Sequence, residues 1–212
     1  MTGSETKGQR DREATKDRLV DAVGMLLARD GFGALGINAV AAEAGVDKVL
    51  IYRYFDGMPG LLHAFGESAD FWPSVEEVLG DEPWDTLPIG ERWAGGLSRY
   101  AAALRRRPIT KEILAWEQVE QSELCEILRD ARVRWFEELM THFPDDPDAT
   151  DVDLVATILL IVGAIHYFVV VGRLQADFSG MEVGSEAGWE QIDELIRTIC
   201  VRTLRPVVVP GN

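Results

Sequence analysis

Apolar residues recur at three- and four-residue spacing along this chain from about residue 19 to about residue 204, and no stretch shows sustained two-residue alternation. That periodicity predicts an all-α fold. Leu19, Val23, Leu26 and Leu27 line one face of a first helix ending near Asp30, with Gly31 where a C-cap is expected. Ile37, Val40, Ala41 and Ala44 repeat the pattern over a shorter span, and the two alanines are small enough to let another helix pack closely. Gly45 supplies the permissive backbone of a tight turn, Val46 points inward, and Asp47 is placed to cap a third helix starting at about Lys48. Residues 45–55, GVDKVLIYRYF, thus read as the turn and second helix of a helix-turn-helix.

On a helical wheel Ile51 and Phe55 share the buried side of that third helix. Val49 and Arg53 fall nearly opposite, flanked by Lys48, Leu50 and Tyr52. Such a face suits a DNA groove. Lys48 and Arg53 can donate to phosphates or to guanine O6 and N7, Tyr52 can donate to a phosphate, and Val49 or Leu50 can touch thymine methyls. Asn38 on the second helix joins them as a candidate DNA contact. The alternative from pattern alone is a structural helical hairpin with an ordinary solvated face.

A fourth helix is expected from about Pro59 to Phe71, as a lever between the helix-turn-helix and the rest. Pro73, Gly80, Pro83 and Pro88 then mark a loop or broken helix. Further helices are expected at about 89–106, 110–119, 121–142, 152–175 and 188–204, with breaks at Pro108, at Phe143 to Pro147 and around Gly180 to Gly188. Residues 154–172 are an apolar run of 19 without a formal charge, long enough for a membrane span. Thr157, His166 and Tyr167 within it, and a Thr150-to-Asp153 capping box at its start, favour a water-soluble reading. A helix apolar all round can be covered on one side by its own domain and on the other by a partner subunit. In the last helix Ile192, Leu195, Ile196, Ile199 and Thr203 form the matching stripe and are the dimer-interface candidates.

Residues 31–62, GFGALGINAVAAEAGVDKVLIYRYFDGMPGLL, closely resemble the N-terminal domain of the TetR family of bacterial regulators. The Gly-Phe after the first helix, the Ala-x-x-Ala-Gly-Val turn, the Tyr-x-Tyr-Phe ending and the Leu-Leu opening of the fourth helix fall in family order and spacing. The resemblance runs from about Lys16 to Phe65. It implies an all-α homodimer whose two recognition helices enter successive major grooves of operator DNA, with a ligand-binding C-terminal domain. It implies that Lys48, Leu50 and Arg53 face bases, that Tyr52 and Tyr54 meet phosphates, and that the last two long helices pair with their symmetry mates in a four-helix bundle. Tyr54 has a second reading, with its ring packed under the helix. The chain divides on this basis into a flexible arm at 1–13, the helix-turn-helix domain at 14–56, a helical effector-binding and dimerisation domain at 57–205 and a tail at 206–212. Val49 and Leu50 replace the small pair common at the start of the family's third helix. Gly36 replaces a Ser or Thr cap, and Asp56 to Gly60 lack the lysine that commonly opens the fourth helix.

The formal net charge of −15 runs against the basic footprint of a DNA-binding protein. Its distribution changes the picture, because residues 1–66 carry eight Lys/Arg against nine Asp/Glu and the acidity lies beyond them. Lys7, Arg10, Arg12, Lys16 and Arg18 make the N-terminal arm the most basic segment, suited either to a minor groove or to disorder. Cys125 and Cys200 have no metal spacing, and no cleavable apolar signal segment precedes the first helix, which fits a cytoplasmic protein.

Trp93, Tyr100, Trp116, Trp135, Phe136, Met140, His166 and Tyr167 are the effector-pocket candidates, an apolar set with a few polar points suited to a small apolar or aromatic molecule. Each is also an ordinary core residue type. Glu117 and Glu120 can favour a cationic ligand or form a solvated face. The three histidines, His63, His142 and His166, show no metal-ligand spacing, and no glycine-rich phosphate loop or nucleophile elbow is present. No enzyme, cofactor or metal is therefore expected. The expected function is a ligand-responsive transcriptional repressor; the alternative is an acidic dimeric small-molecule-binding protein without operator recognition.

Overall fold

The computed structural model of the protein describes residues 3–81, 86–142, 154–172 and 177–204. Among them are ten α-helices, and the sole β pairing is a bridge between Phe178 and Met181. In chain order they are α1 (Gly3–Asp30), α2 (Ile37–Ala44), α3 (Val49–Phe55), α4 (Met58–Gly66), α5 (Val75–Leu79), α6 (Ile89–Arg105), α7 (Pro108–Trp116), α8 (Glu123–Thr141), α9 (Leu154–Val171) and α10 (Glu186–Thr203). They form two compact units, Met1–Trp72 with Arg107–Phe136, and Pro73–Arg106 with Glu137–Asn212. The first unit therefore takes in α4, α7 and most of α8, which the sequence division at residue 57 assigns to the effector domain.

In the first unit the predicted face of α1, Leu19, Val23, Leu26 and Leu27, is buried together with Val40, Ile51, Leu61, Leu62 and Phe65. α7 packs on α1 where glycines leave room. A Cβ on Gly24 would stand 2.8 Å from the Phe65 ring and 3.4 Å from Ile109, and one on Gly31 would stand 3.0 Å from Trp116. Helix α1 begins at Gly3, so residues 8–13 are helical where the sequence suggests a flexible arm. No proline interrupts them, Lys16 pairs with Glu13, and the buried C-terminal half lets the helix propagate backwards once nucleated. Helix α4 stops at Gly66, five residues short of its expected end at Phe71. The Ser68 hydroxyl donates to the Phe65 carbonyl at 2.7 Å and accepts from the Phe71 N–H at 3.3 Å, giving the backbone an alternative to another helical turn.

In the second unit α10 lies on α6, and the two come close at Gly90, where a Cβ would stand 2.8 Å from both the Cys200 carbonyl oxygen and the Val201 Cα. Arg105 at the end of α6 pairs with Glu186 and lies 4.9 Å from the Trp189 ring centroid, tying it to the start of α10. Ser185 caps α10 by accepting from Gly188 N–H at 3.1 Å.

Helix α9 is long and apolar enough to cross a membrane by length and composition alone, with mean hydropathy 2.6, yet only 22% of it is buried. Ile158, Ile161, Ile165 and Val169 point inward, while Val155, Leu159, Leu160 and Tyr167 are exposed. The expected capping box from Thr150 to Asp153 and the tail at 206–212 lie outside the described residues.

Candidate nucleic-acid interface

The helix-turn-helix forms where the sequence places it. Gly45 takes the left-handed conformation (φ 63°, ψ 38°) at the C-cap of α2, and its N–H and that of Val46 close the turn onto Ala42 and Ala41 carbonyls. Asp47 Oδ1 accepts from Val49 N–H at 2.8 Å, the expected cap, and α3 starts at Val49, one residue later than expected. Asp56 ends α3 in the left-handed region (φ 58°). Gly60 is fixed by a close approach: a Cβ there would overlap the Phe55 carbonyl oxygen. This locks the start of α4 against the end of α3.

The two faces of α3 separate as predicted. Ile51 is fully buried, whereas Val49 is 60% and Tyr52 58% exposed, with Lys48 and Arg53 exposed beside them. Leu50, Tyr54 and Phe55 are half-buried, so Phe55 is less enclosed than its wheel position suggests. Asn38 is exposed on α2, and its Oδ1 accepts from Lys48 Nζ at 3.3 Å, bringing these two candidates together across the turn. Tyr54 lies beneath two guanidinium groups, with Arg12 of α1 5.3 Å and Arg53 6.0 Å from its ring centroid. Its packing reading and its DNA-facing reading thus meet at one ring. The sequence places Arg12 in a basic arm suited to a minor groove or to disorder; the helical α1 instead carries it to α3.

At the start of α4 the chain offers Met58 and Pro59 in place of a lysine, as read from sequence. The segment after α4 is held within the same unit by side chains at the start of α7 and its N-cap. Thr110, fully buried, donates to the Phe71 carbonyl at 2.5 Å, and Arg107 donates to the Ala69 carbonyl at 2.9 Å.

Residues 19–65 match the family model for bacterial regulatory proteins of the tetR family. Residues 19–65 are thus a TetR-type N-terminal domain. The HTH-type transcriptional repressor SCO4008 of Streptomyces coelicolor is 32% identical over 115 residues, 52% of this chain and 53% of that protein. The chain thus matches about half the length of that relative. A TetR family transcription regulator from Marinobacter aquaeolei VT8 shares the fold with TM-score 0.64 at 17% identity, over 93% of this chain and 98% of that one. RolR, solved in complex with resorcinol, aligns with TM-score 0.50 at 18% identity, over 90% of this chain and 89% of that one.

The effector-pocket candidates are divided between the two units. Tyr100 of α6 and His166 of α9 share a hydrogen bond of 2.6 Å between the hydroxyl and Nε2, and Trp93 is buried on α6 with Tyr100. Trp116 instead packs against Gly31, and Trp135 meets Trp72 edge-on at 6.3 Å, both in the unit of the TetR-type domain. Tyr167 is exposed and contacts Phe168 and Phe178, so its ring is on the open side of α9. Phe136 and Met140 are half-buried on α8. Glu117 is engaged by Arg132, which removes it as a free anion for a cationic ligand.

The dimer-interface candidates also divide. Ile192 and Ile196 are 4% exposed, buried within their own unit, while Leu195 is 50% and Ile199 44% exposed and Thr203 is half-buried. The sequence stripe is two stripes side by side, Trp189, Ile192, Ile196 and Cys200 facing inward and Leu195 and Ile199 facing out. Ile192 and Ile196 are therefore core residues. Among the described residues no group of His, Cys, Asp or Glu is arranged to hold a metal ion.

Proposed function

We propose that this protein is a DNA-binding transcriptional repressor that acts as a homodimer and is released from its operator by a small apolar or aromatic effector. The observation that carries the reading is the exposed face of α3, where Lys48, Val49, Tyr52 and Arg53 stand opposite the fully buried Ile51. An exposed valine beside donors in a helix-turn-helix is explained by a groove that supplies thymine methyls and phosphates. The repressor named among the relatives supports the direction of regulation.

Dimerisation is supported by α9 and α10. Val155, Leu159 and Leu160 on α9 and Leu195 and Ile199 on α10 present large apolar side chains to solvent in a single chain. A second copy covering both helices is the occupant that the fold favours. The effector is best matched to the Tyr100–His166 pair, a hydroxyl and an imidazole nitrogen beside the buried Trp93. A phenol such as resorcinol, the ligand in the RolR structure, carries the hydroxyl and aromatic ring that such a setting would recognise.

The deciding experiment is selection of duplexes from a random-sequence pool by the full-length protein. Enrichment of a palindromic site with half-sites about one helical turn apart is expected. Absence of any enriched duplex, with a stable dimer in sedimentation, would instead favour an acidic dimeric binding protein without operator recognition.

A further inference from the structure

We propose that Arg12 of α1 is a second arginine of the DNA-binding face and grips a backbone phosphate from its seat on Tyr54. This rests on the DNA-binding reading above and adds to it a residue outside the helix-turn-helix. Among the residues of α1 whose burial is described, the buried face starts at Leu19, and residues 8–14 bury no side chain, so that stretch contributes nothing to the core. What they do is carry Arg12 to the recognition helix. Its guanidinium lies 5.3 Å from the Tyr54 ring centroid, and that of Arg53 lies 6.0 Å from the same ring.

Neither arginine has a carboxylate partner among the described residues. Of the other basic groups of the same unit, Lys16 pairs with Glu13, Arg29 with Asp30 and Glu43, and Arg132 with Glu117. Two like charges drawn to one aromatic ring without a counter-ion repel each other, and an anion placed between them reverses the sign of that interaction. The ring belongs to the helix that presents Lys48, Tyr52 and Arg53, so the anion that reaches this point is the phosphate backbone of the same duplex. A guanidinium meets two phosphate oxygens through parallel N–H donors, a geometry well suited to the position. The assignment also makes good a local deficit, since α4 opens on Met58 and Pro59 and brings no charge to the backbone.

The test uses the full-length protein and duplexes enriched from a random-sequence pool, with affinity measured between about 50 and 200 mM salt. Arg12→Gln should bind every enriched duplex several-fold more weakly, by the same factor on each. The slope of log affinity against log salt should become shallower by about 0.9 for each phosphate no longer neutralised, or roughly two units for a symmetric dimer. Arg12→Lys, which keeps the charge, should recover most of the slope, and the thermal unfolding of both variants should match the wild type. Equal affinity and slope for Arg12→Gln, on duplexes that Arg53→Ala binds more weakly, would overturn this assignment and leave the DNA-binding reading standing. Altered preference among duplexes would make Arg12 a base-reading residue and overturn the phosphate assignment. Failure of the wild type to enrich any duplex would remove both.

Discussion

Arg132 and Glu117 face each other through two nitrogen–oxygen contacts of 2.9 and 2.7 Å, with side chains only 16% and 9% exposed. The guanidinium also lies 5.9 Å from the Phe71 ring and 5.3 Å from that of Trp72. The pair therefore braces α8 and the end of α7 against the residues that follow α4, all within the unit of the TetR-type domain. Removing one member leaves the other charged and enclosed, so Arg132→Met alone should cost about 3 kcal/mol in urea unfolding. Arg132→Met with Glu117→Leu should recover most of that loss. A double variant as unstable as the single would assign the effect to lost packing of the arginine stem.

Gly60 should tolerate no side chain. A Cβ there overlaps the Phe55 carbonyl oxygen, which is backbone and cannot swing aside, whereas a Cβ on Gly33 meets nothing within 4 Å. Gly60→Ala is expected to lower stability by about 1–3 kcal/mol or more and to weaken DNA binding by moving the end of α3, while Gly33→Ala leaves both nearly unchanged. Thermal unfolding of the two variants side by side separates the prediction from a general glycine effect.

The reading face and the core should respond independently. Arg53→Ala is expected to cost about 1–3 kcal/mol of DNA binding with relaxed discrimination at one or two base pairs, and to leave stability within about 0.5 kcal/mol. Uniform weakening across duplexes would move Arg53 from base to phosphate.

Assembly should turn on the outer stripe of α10. Leu195→Glu and Ile199→Glu, both at exposed positions, should yield folded monomers in sedimentation. Ile196→Glu should unfold the chain, because its 4% exposure places a carboxylate in the core at a cost of several kcal/mol. An intact dimer in both outer-stripe variants would move the interface away from α10.

Asp193 gives the fold a pH dependence whose sign follows from its surroundings. Burial is the largest influence and raises its carboxyl above the ordinary 3.8, opposed by a hydrogen bond from Ser98 and by the Arg105 charge and assisted by Glu186. The folded chain therefore holds this proton to higher pH than the unfolded chain. The resulting stability is complete below 3.8 and is lost as pH rises through the folded value. Asp193→Asn, which cannot ionise, should be the more stable form at neutral pH, and its advantage should vanish on acidification below the carboxylate range. An advantage that persists at low pH would point to a packing effect.

The helix-turn-helix was legible in sequence because its determinants are local. Gly45 and Asp47 act within a few residues of themselves, and the period of α3 separates Ile51 from Tyr52 and Arg53. The end of α4 was not legible, since it depends on a serine turn and on Gly66, where a Cβ would stand 3.0 Å from Ala131, a neighbour far away in the chain. The stripe on α10 misled for a different reason. Two adjacent apolar rows differ by one step of the helix, and hydrophobicity alone does not say which row meets the chain's own α6. The tryptophans among the pocket candidates behaved similarly: the aromatic residue type was correct for burial, and only long-range packing sent Trp116 to Gly31 and left Trp93 on α6 near Tyr100.

The corner joining α3 to α4 also constrains how this protein's DNA affinity can change by mutation. Asp56 and Gly57 hold left-handed backbone at φ 58° and 106°, Pro59 sits in the first turn of α4, and Gly60 has no room for a side chain. Met58 and Pro59 alone among these five positions have ordinary helical backbone and room for another side chain. Any lineage, natural or in the laboratory, that tightens its hold on DNA at this corner is thereby channelled through two codons. Met58→Lys and Pro59→Lys are the substitutions by which it would do so.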